Sequence, residues 1–124
     1  MLQSEIDILK SVANQPNILH LYDTYTTKNN IYLITECCES DLDKIIKVKE
    51  KFSLKESIDI ISQVLSGYLH LSQSGFIHRD LKPANIFYQN GVYMIGDFGF
   101  AVLARTIKST NNEYNVGSPL YMSP

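Results

Sequence analysis

Four polar side chains fall on two short stretches, each beside an apolar run: Asp80, Lys82 and Asn85 within 78–85 (HRDLKPAN), and Asp97 in Asp97-Phe98-Gly99. Their types suit the movement of a phosphoryl group, which requires two positioned oxygens and neutralisation of spreading negative charge. Asp80 can accept a hydroxyl proton. Lys82, two residues on in an extended stretch, points the same way and can touch a transferring phosphate. Asn85 offers an amide oxygen and Asp97 a carboxylate, both suited to magnesium. Gly99 lets the backbone turn sharply. Each residue alone reads as a solvated loop group, and only the joint arrangement points to chemistry.

The elements that must hold these groups are legible from periodicity. Leu2, Ile6, Leu9 and Val12 fall at helical spacing, and the helix ends before Gln15-Pro16. Residues 19–27 and 31–37 are rich in aromatic and β-branched residues around Lys28-Asn29-Asn30, which predicts a hairpin. Leu42, Ile45 and Ile46 predict a short helix over 41–49. Ser53 followed by Glu56 is a capping-box signature for a longer helix, with Ile58, Ile61, Leu65, Tyr68 and Leu71 as its apolar face and Gly75 at its end. Asn90-Gly91 predicts a second hairpin between 86–88 and 92–95. Residues 105–118, rich in Ser, Thr and Asn, read as a surface loop. The fold class is α+β.

Composition bounds the rest. The 124 residues are 44% hydrophobic, enough for one globular core. A net charge of −2 argues against a nucleic-acid binder. No apolar run is long enough to span a bilayer. Cys37 and Cys38 are adjacent, a spacing that rarely forms a disulfide, so two free thiols in a cytoplasmic or nuclear setting are expected.

The set HRDLKPAN, then Asp-Phe-Gly after one hairpin, then Gly117-Ser118-Pro119-Leu120-Tyr121-Met122-Ser123-Pro124, resembles the eukaryotic protein kinases across essentially the whole chain. Lys82-Pro83 and Ser118 resemble the serine/threonine class, and the Asp-Phe-Gly and Gly-Ser-Pro surroundings look most like the autophagy-initiating kinases and their relatives. The resemblance implies a partial two-lobe kinase-like fold, truncated at both ends: 1–38 as a remnant of the N-lobe and 39–124 as the first part of the C-lobe. It implies ATP and Mg2+ as cofactors and a protein substrate, with Asp80 as catalytic base, Lys82 on the γ-phosphate, and Asn85 and Asp97 on the metal.

On the nucleotide side the resemblance makes Glu5 the partner of an ATP-contacting lysine, or else a solvated helix glutamate. Thr35 takes the place of the gatekeeper. Backbone groups of Glu36 and Cys38 bond adenine, unless the segment is an ordinary strand end. Asp41 reaches the ribose or only caps the next helix. Phe87 is the floor of the adenine pocket or plain core. Leu9, Leu21, His78 and Phe98 match a stacked apolar column, and His20 and His70 have no assigned role.

The pattern departs from the family in lacking a glycine-rich loop and the lysine strand. The isolated chain is therefore expected to expose apolar surface, to fold poorly and to be inert, while the parent keeps every catalytic group. A kinase-derived interaction module without activity is the first alternative; a metal-dependent hydrolase using His78, Asp80 and Asp97 is the second.

Arg79 precedes Asp80, and kinases with this arginine often pair it with a phosphate on the activation loop, added by an upstream kinase or by autophosphorylation. The usual position holds Tyr114 rather than threonine, with Ser109, Thr110, Thr106 or the charge of Glu113 as substitutes. The expected switch is Thr110 or Tyr114; mass spectrometry of the active protein with neither residue modified would overturn it.

Overall fold

The structure, a computed structural model, describes residues 2–12, 14–104 and 116–124, with backbone alone for residues 2–5. Helix α1 (Leu2–Ser11) buries Ile6, Ile8, Leu9 and Val12. Strands β1 (Leu21–Thr26) and β2 (Ile31–Thr35) form the first hairpin, antiparallel and closed where Thr27 N donates to Asn30 O at 2.7 Å. Two-residue β3 (Ser40–Asp41) leads into α2 (Leu42–Lys49). Helix α3 (Leu54–Gln73) starts at the expected capping box, with Ser53 and Glu56 satisfying each other's backbone, and Gly75 follows its end at φ 81°.

Strands β5 (Ile86–Gln89) and β6 (Val92–Ile95) form the second hairpin. Its turn residues Asn90 and Gly91 both have positive φ, as a type I′ turn requires. Strand β3 adds antiparallel to β5, giving the order β3-β5-β6. A separate two-residue pair joins β4 (Phe76–Ile77) to β7 (Val102–Leu103). Periodicity gave no sign of β3, β4 or β7, because two residues carry no period.

The larger of two buried clusters among the described residues ties the N-terminal elements to α3 and β6. Ile8, Leu9, Val12, Ile18 and Leu21 pack with Leu71, Ile95, Phe98 and Ala101. Phe98, Leu71, Ile95 and Val12 are fully buried, each stabilising the fold by roughly 1.5–3 kcal/mol. The linker after α1 lies beside β6: Asn17 O accepts from Ile95 N, and Leu19 N donates to Ile95 O, both at 2.9 Å. Gln63 of α3 joins this seam. Its Oε1 accepts from Tyr93 N at 2.8 Å and Asn17 Nδ2 at 3.2 Å, and Asn17 Nδ2 also donates to Tyr93 O at 2.8 Å.

The expected apolar face of α3 is largely open. Ile58, Ile61 and Leu65 are 58%, 65% and 52% exposed, and Tyr68 is also exposed; of the five residues, only Leu71 is buried. The stripe turned inward is Ile60, Val64, Gly67 and Leu71, at the same spacing but displaced around the helix. The expectation of exposed apolar surface is thus met on the Ile58–Tyr68 face itself.

Gly67 lets α3 approach the linker. A Cβ there would lie 2.3 Å from Asn17 O, a backbone atom. Gly→Ala within an exposed helix is ordinarily favourable, but here the backbone must move. Gly67→Ala is expected to destabilise the fold by about 1–3 kcal/mol in chemical denaturation; an unchanged or raised midpoint would show that the close approach is not a constraint.

Candidate active site

The loop between β4 and β5 ends in a 3-10 turn, Pro83–Asn85, that sets Asn85 inward. Asp80 and Asn85 are both buried. Asn85 Nδ2 donates to Asp80 O at 2.8 Å and to Asp80 Oδ2 at 3.1 Å, which commits the amide nitrogen and leaves the amide oxygen for another partner. Ser118 Oγ donates to Asp80 Oδ1 at 2.7 Å and accepts from Lys82 Nζ at 2.8 Å. Lys82 Nζ is also 3.5 Å from Asp80 Oδ2. One buried carboxylate thus faces a hydroxyl, an amide and an ammonium.

Burial is the largest influence on Asp80 and pushes its pKa up. The hydrogen bond from Ser118, the charge of Lys82 and the hydrogen bond from Asn85 outweigh it and hold the carboxyl below its usual range. Asp80 is therefore ionised at neutral pH. Ser118 reaches it because Gly117, at φ 110°, lies against Arg79: a Cβ there would sit 2.4 Å from Arg79 O. Arg79 is itself in the left-handed region at φ 67°, and its Nε donates to Phe100 O at 2.6 Å.

Strand β6 delivers the second carboxylate. Gly96 N donates to Asn85 O at 3.0 Å, and Gly96 O pairs with His78 Nε2 at 2.8 Å. Asp97 follows at φ 56°, exposed, with Gly99 N donating to its Oδ1 at 3.3 Å. Sequence reasoning did not single out Gly96, Gln63 or Asn17. The need for glycine at 96 comes from the Phe87 ring, whose Cε2 would lie 2.6 Å from a Cβ.

The Protein kinase domain family matches residues 1–124. The chain belongs to the protein kinase domain family. It is 36% identical over 131 residues to serine/threonine-protein kinase atg1 of Dictyostelium discoideum, covering 99% of this chain and 19% of that protein. Calcium/calmodulin-dependent protein kinase type I of Schizosaccharomyces pombe is 36% identical over 129 residues, covering 99% and 38%. Serine/threonine-protein kinase 33 of Bos taurus is 33% identical over 135 residues, covering 100% and 28%. The chain therefore spans about a fifth to two fifths of the length of these relatives.

Within this kinase domain the column of apolar residues is assembled. Leu9, Leu21 and Phe98 share one core, and the His78 ring meets Phe98 edge-on at 5.3 Å. Thr35 ends β2, and Glu36 is tied to His20 twice, its N donating to His20 O at 3.0 Å and its Oε1 accepting from His20 N at 2.9 Å. Cys37 and Cys38 are free thiols. Burial, then the charges of Glu36 and Cys37, push the Cys38 thiol up. Asp41 caps α2, accepting from Lys44 N at 3.0 Å. Phe87 is half-buried and opposite Asp41 in the β3–β5 register. Glu5 lies in α1, but its side chain is outside the described set, as are Thr106, Ser109, Thr110, Glu113 and Tyr114 entirely.

The hydrolase alternative loses its ligand. Both ring nitrogens of His78 are engaged, Nε2 with Gly96 O and Nδ1 accepting from Asp80 N at 3.2 Å, and the side chain is buried. Among the described residues, no group of three His, Cys, Asp or Glu side chains is placed to hold a metal.

Burial lowers the pKa of His78, against the Gly96 hydrogen bond and the charges of Asp97 and Asp80. A proton is thus bound more readily by the unfolded chain, so the stability contributed by neutral His78 is full above about pH 6.5 and is lost as pH falls below it. Denaturation midpoints are expected to fall between pH 7 and 5, with a flatter dependence in His78→Phe. Equal slopes for the two proteins would contradict the assignment.

Proposed function

We propose that the protein is an ATP-dependent serine/threonine protein kinase, with Asp80 as the catalytic base. The observation that carries this reading is the contact from Ser118 Oγ to Asp80 Oδ1 at 2.7 Å, with Lys82 Nζ 2.8 Å from the same hydroxyl. An alcohol hydroxyl donates to an ionised, buried carboxylate beside a cation, which is the environment a protein serine or threonine needs before it attacks a phosphorus atom. Serine/threonine kinases among the similar proteins support the class.

The residues fit magnesium. The Asn85 amide is turned by its two bonds to Asp80 so that its oxygen is left over, and exposed Asp97 supplies a carboxylate beside it in the chain path through Gly96. One or two such oxygens plus water and phosphate oxygens are what this hard cation takes. When bound, the ion neutralises charge on the phosphates. Asp80 orients the incoming hydroxyl and takes its proton, while Lys82 presents its ammonium to the transferred phosphoryl group. Glu36 and Cys38 are assigned to adenine, Phe87 to the pocket floor, Asp41 to the ribose and Glu5 to a phosphate-contacting lysine. The division into lobes at 38/39 belongs to this reading and is supported by the change of strand partner at Ser40, which pairs with β5 rather than β2. Free Cys37 and Cys38 support a cytoplasmic or nuclear location.

Asp80→Asn keeps a group able to accept from Ser118 but removes the base. In the intact protein it is expected to lower kcat for phosphate transfer to a serine-containing protein by about 10²–10⁴ with little change in KM. A variant with undiminished kcat, or transfer confined to tyrosine in the unaltered protein, would remove this reading.

A further inference from the structure

Residues 36–39, which join β2 to β3, are held at both ends by the same device. At the first end Glu36 N donates to His20 O at 3.0 Å, and Glu36 Oε1 accepts from His20 N at 2.9 Å. At the other end Glu39 N donates to Gln89 Oε1 at 2.9 Å, and Glu39 Oε1 accepts from Asn90 N at 3.0 Å. Each glutamate commits its backbone N–H and its carboxylate together to one neighbouring stretch. Between these two clasps, Cys37 and Cys38 make no backbone hydrogen bond to another described residue. Their main-chain groups are left for a ligand.

The Glu39 clasp acts where strand pairing stops. Strand β3 has two residues, and its register on β5 ends at Ser40 and Tyr88. The β5–β6 register ends at Gln89 and Val92, so the N–H of Asn90, the first turn residue, has no ladder partner. The Glu39 carboxylate supplies one. Strand β5 also carries Phe87, whose ring lies against Gly96, and β6 leads through Gly96 to Asp97. The clasp therefore ties 36–39 to the hairpin that carries the residues assigned to the pocket floor and the metal.

We infer that Glu39 is a positioning residue for nucleotide binding: by clasping the hairpin turn it holds the Cys38 main chain in place for adenine. The inference rests on the assignment of Glu36 and Cys38 to adenine. Glu39 acts through the backbone, since its Oε1 is already bonded to Asn90 N. A segment anchored at both ends is ordered before the ligand arrives. One anchored at a single end must be ordered during binding, and affinity falls by that entropy.

The test is equilibrium binding to the intact protein of two probes, adenosine and magnesium tripolyphosphate. The first has the base and no phosphate, the second the phosphates and no base. Glu39→Ala is expected to weaken adenosine about three- to ten-fold, the range of one lost hydrogen bond, and to leave tripolyphosphate unchanged. Glu39→Gln keeps an accepting oxygen at the same reach and is expected to restore adenosine binding to within about two-fold. Gln89→Ala removes the other arm and is expected to act in the same direction as Glu39→Ala. General damage to the fold would weaken both probes together. Unchanged adenosine affinity in Glu39→Ala, an equal loss for tripolyphosphate, or a glutamine variant as weak as the alanine one would overturn the inference alone. An unaltered protein that binds tripolyphosphate but no adenosine would remove the adenine assignment, and the inference with it.

Discussion

The peptide around Gly96 is the constraint on which the rest of the site depends. Its N–H donates to Asn85 O and its carbonyl accepts from the buried ring of His78. The catalytic loop therefore grips the end of β6 from both sides, one residue before Asp97. Phe87 closes the third side, within the distance at which any Cβ would collide. Asp80, Asn85 and Asp97 lie on separate turns of chain, yet two hydrogen bonds fix their relative placement. The neutral state of His78 belongs to the same constraint. Nδ1 accepts from Asp80 N while Nε2 faces a carbonyl, a pairing that only the Nε2–H tautomer satisfies.

Backbone strain gathers around this grip. Arg79 and Asp97 both have positive φ although neither is glycine, a conformation that costs roughly 1–2 kcal/mol per residue. Such strain persists only where the surroundings over-determine it. Here Phe98, fully buried next to Asp97, is anchored in the main core with Leu71 and Ile95, and Arg79 is held by its bond to Phe100 O and by Gly117 against its carbonyl. The core lies directly beneath the strained residues, so apolar burial offsets the cost where it arises.

What the sequence reveals depends on how local the signal is. The capping box at Ser53, the Asn90-Gly91 turn and the two hairpins rest on residues a few positions apart, and all are present. The meeting of Asp80, Lys82 and Asn85 is legible because a few residues of one loop carry it. The inward face of α3 is not legible. The apolar sector of that helix is wide, with Ile58, Ile61 and Leu65 towards one edge and Ile60, Val64 and Leu71 towards the other, so periodicity marks the sector without saying which edge is covered. The choice comes from Gly67 and Gln63. The first permits contact with Asn17 O, and the second receives the backbone of Tyr93, partners 50 and 30 residues away.

The β5–β6 hairpin packs against different partners on its two faces. Alternation along β5 sends Phe87 towards Gly96 and Tyr88 towards Tyr93, on opposite faces of the sheet. The strand thus separates the Gly96 side from the Tyr88–Tyr93 pair by the thickness of one sheet. The hairpin is pinned along its length: β3 pairs with Tyr88 and Phe87, Gln63 holds Tyr93 and Gly91, and the loop holds Gly96. A strand held on so many sides fixes the position of Gly96 and Asp97 at its end.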